Sequence, residues 1–449
     1  MQLRNVVLVD GARSAFSRGG KGKLVATRLD EAGATVLRAL LDRNPKVKDT
    51  MIEDVGLGNV LGYGEFTLLA TIQRLAGLPL EACAFNSNRQ CGSSMETMHR
   101  VAMAIMVGTI DCGVALGVER MGRGLGGGPR LPDTRITKLN PRLFQMNEAQ
   151  KRMAPDHREY FSVDFPDYIL NSPPVVGMPQ TAQNVAEVYG LTRRELDEFS
   201  AESHRKCAAA YEAGVYKDEI VPLEVEDPVY DDQGNWLESE TGPKITFDRD
   251  ECIRPETTAE KLAGLQPIKG LVSFGQKEIV ITAGNSCPTN DGVSAALLMS
   301  EEKARALGLE PLARIVGLGV GGVKPQLMGI GPIVSTKKAL RHAGLRAEQI
   351  DRVEFNEAFA AQVLACLEAT RSAAFARAEL DRDHPLGEIP PERLNVNGGA
   401  IALGHPVGAS GARLLLTLLL EMRRRGAGRG LAALCVGGGQ GAAFVLERE

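Results

Sequence analysis

The sequence predicts an α/β protein made of two similar halves, with a lobe inserted into the first. Three observations carry that expectation. Apolar strand-like runs alternate with stretches of helical spacing, the pattern of a mostly parallel sheet covered by helices. From Pro311 the order of elements starts again, as an internal duplication would. Between Gly122 and Gln276 the alternation gives way to a long tract rich in proline and charge, and so long an excursion reads as a lobe rather than a loop. The expected division is residues 1–121, completed by 277–300, for the first half; 122–276 for the lobe; and 301–449 for the second half.

In the first half, Val6 to Val9 reads as a strand, Glu31 to Asp42 as a helix, Val55 to Leu61 as a strand and Thr67 to Leu75 as a helix. Ala82 to Asn86 follows as a short buried strand, Ser94 to Val107 as a helix and Cys112 to Gly117 as a strand. Within the lobe, Thr181 to Tyr189 and Leu196 to Ala210 have helical spacing. Thr192 and Glu195 form a capping-box pattern before the second of these, and Asp231 to Asn235 is a turn. Strands are expected again at Ile279 to Thr282 and Val293 to Met299. The second half repeats the order with strands at Leu312 to Val320, Val353 to Phe355, Leu394 to Val396, Leu431 to Val436 and Gly441 to Leu446. Helices at Val334 to Ala343, Glu357 to Ala369 and Ser410 to Met422 alternate with them.

Composition removes several function classes. A formal net charge of -4 gives no electrostatic case for nucleic acid or an anionic membrane. The eight cysteines form no C-x-x-C pair or Cys/His comb, so no structural metal site is expected. Met1 to Val9 is a short strand rather than a signal peptide, and the runs Leu414 to Leu416 and Leu418 to Leu420 are far too short to cross a bilayer. A cytoplasmic, reducing setting with free thiols is the expectation.

The chemistry centres on Asn88-Arg89-Gln90-Cys91-Gly92-Ser93-Ser94-Met95. Cys91 falls on a strand-to-helix turn, where Gly92 lets the chain close and Ser93 or Ser94 can cap the helix. The unpaired N–H groups of a first helical turn favour an anion, so a thiol there should ionise more easily than a free cysteine and act as a nucleophile. Taken alone, the pattern also fits a buried small apolar residue. The duplication sets three turns of the second half against it: Asn356-Glu357-Ala358-Phe359, Gly398 through His405 to Pro406, and Cys435-Val436-Gly437-Gly438-Gly439.

With those motifs in that order, and the Thr282 to Gly292 stretch between them, the chain resembles the thiolases, the acyl-CoA:acetyl-CoA C-acyltransferases, over nearly its whole length. The resemblance implies a layered α-β-α-β-α core of two duplicated βαβαβαββ halves. It implies that Cys91 attacks the keto carbon of a 3-ketoacyl-CoA and becomes acylated, expelling an acetyl-CoA enolate. Cys435 is then the acid/base thiol that protonates the enolate and deprotonates incoming CoA. His405 would hydrogen-bond the Cys91 thiolate or the thioester oxygen and supply charge that makes the thiol reactive. Asn356 would hold a water that forms one oxyanion hole with His405, and the N–H groups of Cys91 and Gly437 would form the other. Glu357 is read as a positioning residue rather than a base.

The same resemblance gives Arg254, Ala283, Cys287, Met178 and Phe359 to CoA and substrate binding, with Cys287 standing where many members have serine. It implies no metal and no resident cofactor, CoA being a substrate, and a homodimer or homotetramer that could join a β-oxidation complex. Gly177 and Pro179 depart from the pattern around Met178 in biosynthetic members, and Asp133 to Pro174 is long, which favours a broad or longer-chain degradative enzyme over a short-chain acetoacetyl-CoA one. A malonyl-dependent ketoacyl synthase would need two histidines where Asn356 and Cys435 stand, and a non-catalytic acyl-CoA-binding scaffold would not need two reactive thiols. Gly124 to Gly128 lacks the Lys-Ser/Thr ending of a phosphate loop, and Gly317 to Gly322 is expected only to let a strand end bend.

Overall fold

The computed structural model describes residues 3–61, 68–122, 177–273, 275 and 277–448. The glycine run at 124–128 and the long 133–174 segment lie outside them.

The first half is built from β1 (Val6–Arg13), β2 (Ser17–Arg18), α1 (Leu29–Asp42), β3 (Asp54–Gly58), α2 (Leu68–Leu75), β4 (Cys83–Ser87), α3 (Ser93–Val107) and β5 (Cys112–Arg120). The lobe supplies α4 (Met178–Val188), α5 (Arg193–Glu212), a hairpin of β6 (Leu223–Tyr230) and β7 (Trp236–Phe247), and the short α6 (Ala259–Ala263). The chain then returns as β8 (Asn290–Ser300), which lies between β1 and β5. After α7 (Glu301–Ala306) come β9 (Ala313–Gly322), α8 (Gly331–Ala343), β10 (Arg352–Phe355), α9 (Ala360–Arg371), α10 (Ala373–Glu379), α11 (Ala400–Leu403), α12 (Ser410–Arg425), β11 (Arg429–Val436) and β12 (Gln440–Glu447).

These strands join in the order β10-β11-β12-β9-β1-β8-β5-β3-β4. The sheet is mixed rather than mostly parallel. Among the described strands only β3 with β4, β3 with β5 and β10 with β11 run parallel, because β8 and β12 return beside their neighbours in the opposite sense. The two half-sheets meet through a short antiparallel seam, Val6 to Leu8 against Ala313 to Ile315. Among the described residues the three larger apolar cores follow from this: α1 packs on the outer face of the first half, α8 and α9 cover the outer face of the second, and α3 and α12 lie together between the halves. That is the layered arrangement the resemblance implies.

Three expected elements differ, each because side chains do the work of backbone pairing. Ile279 to Thr282 is not a strand: the Val280 N–H donates to Gln183 Oε1 and the Asn285 amide takes the Thr282 N–H and the Val280 carbonyl, leading into a short 3-10 turn at Ala283–Asn285. Leu394 forms a single bridge with Val353, since Asn395 sits at φ 43° and uses its amide to bond both the N–H and the carbonyl of Phe355. The helix expected from Glu357 starts at Ala360, because the Glu357 carboxylate is held by Ser203, Asn395 and the Ile401 N–H. Thr192 and Glu195 do form the capping box of α5.

β4, expected to be buried, is an edge strand with Cys83, Ala84 and Asn86 exposed. The glycines of β9 serve close packing rather than a bend. A Cβ on Gly319 would run into the Ser335 carbonyl and one on Gly321 would sit 2.7 Å from Val334 Cγ1, so α8 rests directly on the strand.

Candidate active site

Cys91 sits where β4 ends and α3 begins, in a turn held open by Gln90 at φ 45°. Gly92 is the N-cap of α3, and neither serine caps it. Ser93 Oγ instead closes the turn on itself, accepting the Arg89 N–H at 3.0 Å and donating to the Gln90 carbonyl at 2.7 Å. Ser94 is committed to the other half: its N–H donates to the Gly408 carbonyl at 3.1 Å, and its Oγ accepts the Ala412 N–H at 3.0 Å. Arg89 clamps the turn from outside, with Nε on the Glu96 carboxylate at 2.7 Å and Nη1 on Gln440 Oε1 at 3.2 Å.

The half-buried Cys91 thiol receives the Gly437 backbone N–H and its own. Burial nevertheless dominates, and with the Glu119 charge nearby the thiol is pushed up to about 11 rather than down. The expectation of an easily ionised resting cysteine is therefore overturned: a single first-turn donor set does not outweigh the loss of water. Cys435, at the end of β11, is fully buried and pushed up by burial and by Cys91, Cys366 and Cys287. Cys287, half-buried with its N–H on the Ala358 carbonyl, is pushed up by burial and by Cys91. The three thiols thus lie close enough for Cys91 to influence both of the others.

The second set of groups approaches from the other half. Asn356 follows β10, with its N–H on the Ala433 carbonyl at 3.0 Å. Its Nδ2 lies 3.3 Å from His405 Nε2, and its Oδ1 faces Arg413 Nη2 at 3.4 Å. His405 is fixed through its N–H on Asn290 Oδ1 at 3.0 Å and its Nδ1 against Ser410 Oγ at 2.6 Å. Gly404 is required just before it, at φ 111° with a Cβ position 2.5 Å from the Asn290 amide. Burial, with the Arg413 charge behind it, drives the imidazole down to about 3. His405 is therefore neutral and cannot supply the charge expected of it; it offers a lone pair instead.

The remaining expected contacts separate into two groups. Phe359 is buried, bridged through its backbone to Ser286, and Met178 packs at the rim of the same apolar core. Ala283 and Arg254 are exposed, and the Arg254 N–H donates to His204 Nδ1 at 3.2 Å. Neither is hydrogen-bonded to Cys91, Cys435 or His405 among the described residues.

A nucleophile turn bearing a backbone N–H on its sulfur, a second buried thiol and a neutral Asn–His pair suit acyl transfer through a thioester. The thiolase N-terminal domain model matches residues 6–302 and the thiolase C-terminal domain model matches residues 309–448. The chain belongs to the thiolase family. A 3-ketoacyl-CoA thiolase of Vibrio vulnificus is 38% identical over 448 residues, covering 99% of this thiolase and 100% of that protein. An acetyl-CoA acetyltransferase of Chromobacterium violaceum is 39% identical, with 99% of each chain covered. Among solved structures, human mitochondrial 3-ketoacyl-CoA thiolase aligns with a TM-score of 0.75 at 31% identity over 100% of both chains. The acetyl-CoA acetyltransferase of Bacillus anthracis aligns with 0.77 at 33% over 99% of both.

Several residues that shape this thiolase's site carry no signal of their own in the sequence. Glu119 is wholly buried, accepts the N–H groups of Val60, Leu61 and Gly408, and is pushed up to about 7 by burial. Arg89 reaches Gln440 and Asn290 reaches His405, partners 351 and 115 residues away in the chain. Ser410 lies in the G-A-S-G end of the histidine motif, and Arg413 follows it at helical spacing.

Proposed function

We propose that this thiolase catalyses CoA-dependent cleavage of 3-ketoacyl-CoA to acetyl-CoA and a shortened acyl-CoA, and the reverse Claisen condensation, as an acyltransferase of fatty-acid β-oxidation. The observation that carries the reading is the Gly437 N–H directed at Cys91, whose charge is felt by the buried Cys435. In the first step the Cys91 proton passes to the neutral imidazole of His405, and the sulfur attacks the keto carbon. Asn356 and His405 serve the thioester oxygen of the enolate, and the N–H groups of Cys91 and Gly437 serve the tetrahedral oxyanion. The bond between the former keto carbon and its α-carbon breaks, Cys435 protonates the acetyl-CoA enolate, and Cys91 holds the acyl group. In the second step Cys435 takes the proton of incoming CoA, whose sulfur displaces Cys91. Glu357 keeps the Asn356 turn in place through Ser203 and Asn395.

CoA is a substrate and the route needs no metal or resident cofactor. Arg254, Ala283, Cys287, Met178 and Phe359 are the proposed contacts to CoA and acyl chain, and the domain division at 121, 276 and 300 follows the same reading. A homo-oligomer, dimeric or tetrameric, is supported by the open edge of β4 beside the exposed Leu80, Met103 and Val107. The free state of all eight cysteines supports a reducing, cytoplasmic compartment. No helix among the described residues is long and apolar enough to cross a membrane.

The test is CoA-dependent loss of the enolate absorbance of acetoacetyl-CoA and of 3-ketooctanoyl-CoA, for wild type and Cys91→Ala. The expected result is cleavage of both by wild type and of neither by the variant. Strict preference for the four-carbon substrate would establish the short-chain alternative, and turnover surviving in Cys91→Ala would remove Cys91 from the chemistry.

A further inference from the structure

The two ring nitrogens of His405 meet different kinds of partner, and a buried cation decides which is which. Arg413 is fully buried, with Nη1 3.6 Å from the Glu354 carboxylate and Nη2 3.4 Å from Asn356 Oδ1. A guanidinium has donors only, so the amide atom facing it is the oxygen, and the Asn356 NH₂ group must turn to His405 Nε2, 3.3 Å away. A ring nitrogen that receives an amide N–H carries its lone pair there. The neutral imidazole then keeps its proton on Nδ1, which donates to Ser410 Oγ at 2.6 Å, while the Ser410 hydroxyl donates to the Pro406 carbonyl at 3.0 Å. Donors along Arg413, Asn356, His405 and Ser410 all point the same way, and Pro406 ends the chain as an acceptor.

We infer that Arg413 is a positioning residue: acting through the Asn356 amide, it holds His405 in the tautomer whose Nε2 is unprotonated. On the reading of His405 as the base given above, this is the tautomer whose Nε2 lone pair, released as the 3.3 Å bond from Asn356 Nδ2 opens, can receive the Cys91 proton. The S–H bond breaks, an Nε2–H bond forms, and the pair becomes thiolate and imidazolium. Without the guanidinium the amide is free to turn over and present Oδ1 to Nε2. The proton then moves to Nε2, and a nitrogen that already carries a proton cannot take one from a thiol.

The test is ¹⁵N NMR of the full-length protein with labelled histidine. The His405 ring signals are assigned among the six histidines by their loss in His405→Gln. The expected wild-type signature is a protonated Nδ1 and an unprotonated Nε2 at neutral pH. Arg413→Met is made together with Glu354→Gln, so that no carboxylate is left buried without its cation, and should shift the signals toward protonated Nε2. Arg413→Lys, which still donates, should restore them. Asn356→Asp is nearly isosteric, keeps a partner for Arg413 and offers only acceptors, so it should protonate Nε2 even if the Arg413 variants fail to fold. Turnover should fall about tenfold or more in kcat in the Arg413→Met pair, with KM little changed, since a general base contributes roughly 10² to 10⁴. A wild-type signature with protonated Nε2 overturns the inference, as does an Asn356→Asp or Arg413→Met protein that keeps the wild-type tautomer. The spectrum needs no turnover, so failure of the thiolysis assay and failure of this inference are read separately.

Discussion

The resting thiol of Cys91 provides the sharpest prediction. Burial lifts it to about 11 from the ordinary 9.0, against the pull of the Gly437 N–H. A rise of that size corresponds to about 3 kcal/mol against the charged form. At a pH well below both values, the thiolate fraction is then about a hundredfold smaller than for an unperturbed thiol. A more basic thiolate is also a better nucleophile, and a Brønsted slope of about 0.45 over two units returns close to a factor of ten. Reaction with dipyridyl disulfide near pH 7.5 should therefore be roughly tenfold slower than for an ordinary thiol, and should keep rising with pH beyond 10. The phase belonging to Cys91 is identified by its absence in Cys91→Ser. An inflection at or below pH 8 would refute the reasoning and mean that the turn's N–H donors outweigh burial. The expected profile instead implies that the thiolate forms only as the proton passes to neutral His405, with substrate in place.

Four other perturbations test the frame that holds the site. Arg13 is buried between Asp250 and Glu219, so Arg13→Met should destabilise by about 3–5 kcal/mol, measured by urea unfolding, because two carboxylates lose their cation. Gly319→Ala pushes a methyl into the Ser335 carbonyl and should cost about 1–3 kcal/mol as a lowered thermal midpoint. Glu96 is raised by burial, but hydrogen bonds from His99, Arg89 and Arg100 outweigh it and bring it from 4.5 to about 2. Its folded value is depressed, so its stabilisation is complete above pH 4.5 and drains away as pH falls toward 2. Urea midpoints for Glu96→Gln should show a shallower acid slope in that window. Ala84→Lys places a charge on the open β4 edge and should shift the protein toward monomer in sedimentation velocity; an unchanged oligomer would place the interface elsewhere.

What could be seen in the sequence was what the backbone states locally. The turns carrying Cys91, Asn356, His405 and Cys435, and the glycines that let them close, sit inside short motifs, and the structure gathers them at one place. The ionisation of those groups was not legible, because it depends on burial by residues remote in the chain. Cys91 and His405 both come out uncharged, where local donors and a lone histidine suggested charge. Glu119, Asn290 and Arg413 are invisible for the same reason: each acts through one hydrogen bond or charge across the fold. Among the elements, the strand at Leu394 and the helix start at Glu357 were misplaced where an Asn or Glu side chain replaces backbone bonding, which propensity cannot register. The β6–β7 hairpin was missed although its turn at Asp231 to Asn235 was found, since β7 is largely exposed and lacks alternation.

Ser94 is bonded through both its N–H and its hydroxyl to the chain just past His405, and a Cβ on Gly411 would sit 2.6 Å from the Met95 nitrogen. The two halves are therefore locked to each other at these turns. The first half supplies the sulfur and the second the imidazole, and a shift of either helix start is felt at once by the residue of the other half. Neither half on its own contains the whole centre: the first has Cys91 without the imidazole, and the second has Asn356, His405 and Cys435 without Cys91. The reactive pair comes into being only with the complete chain.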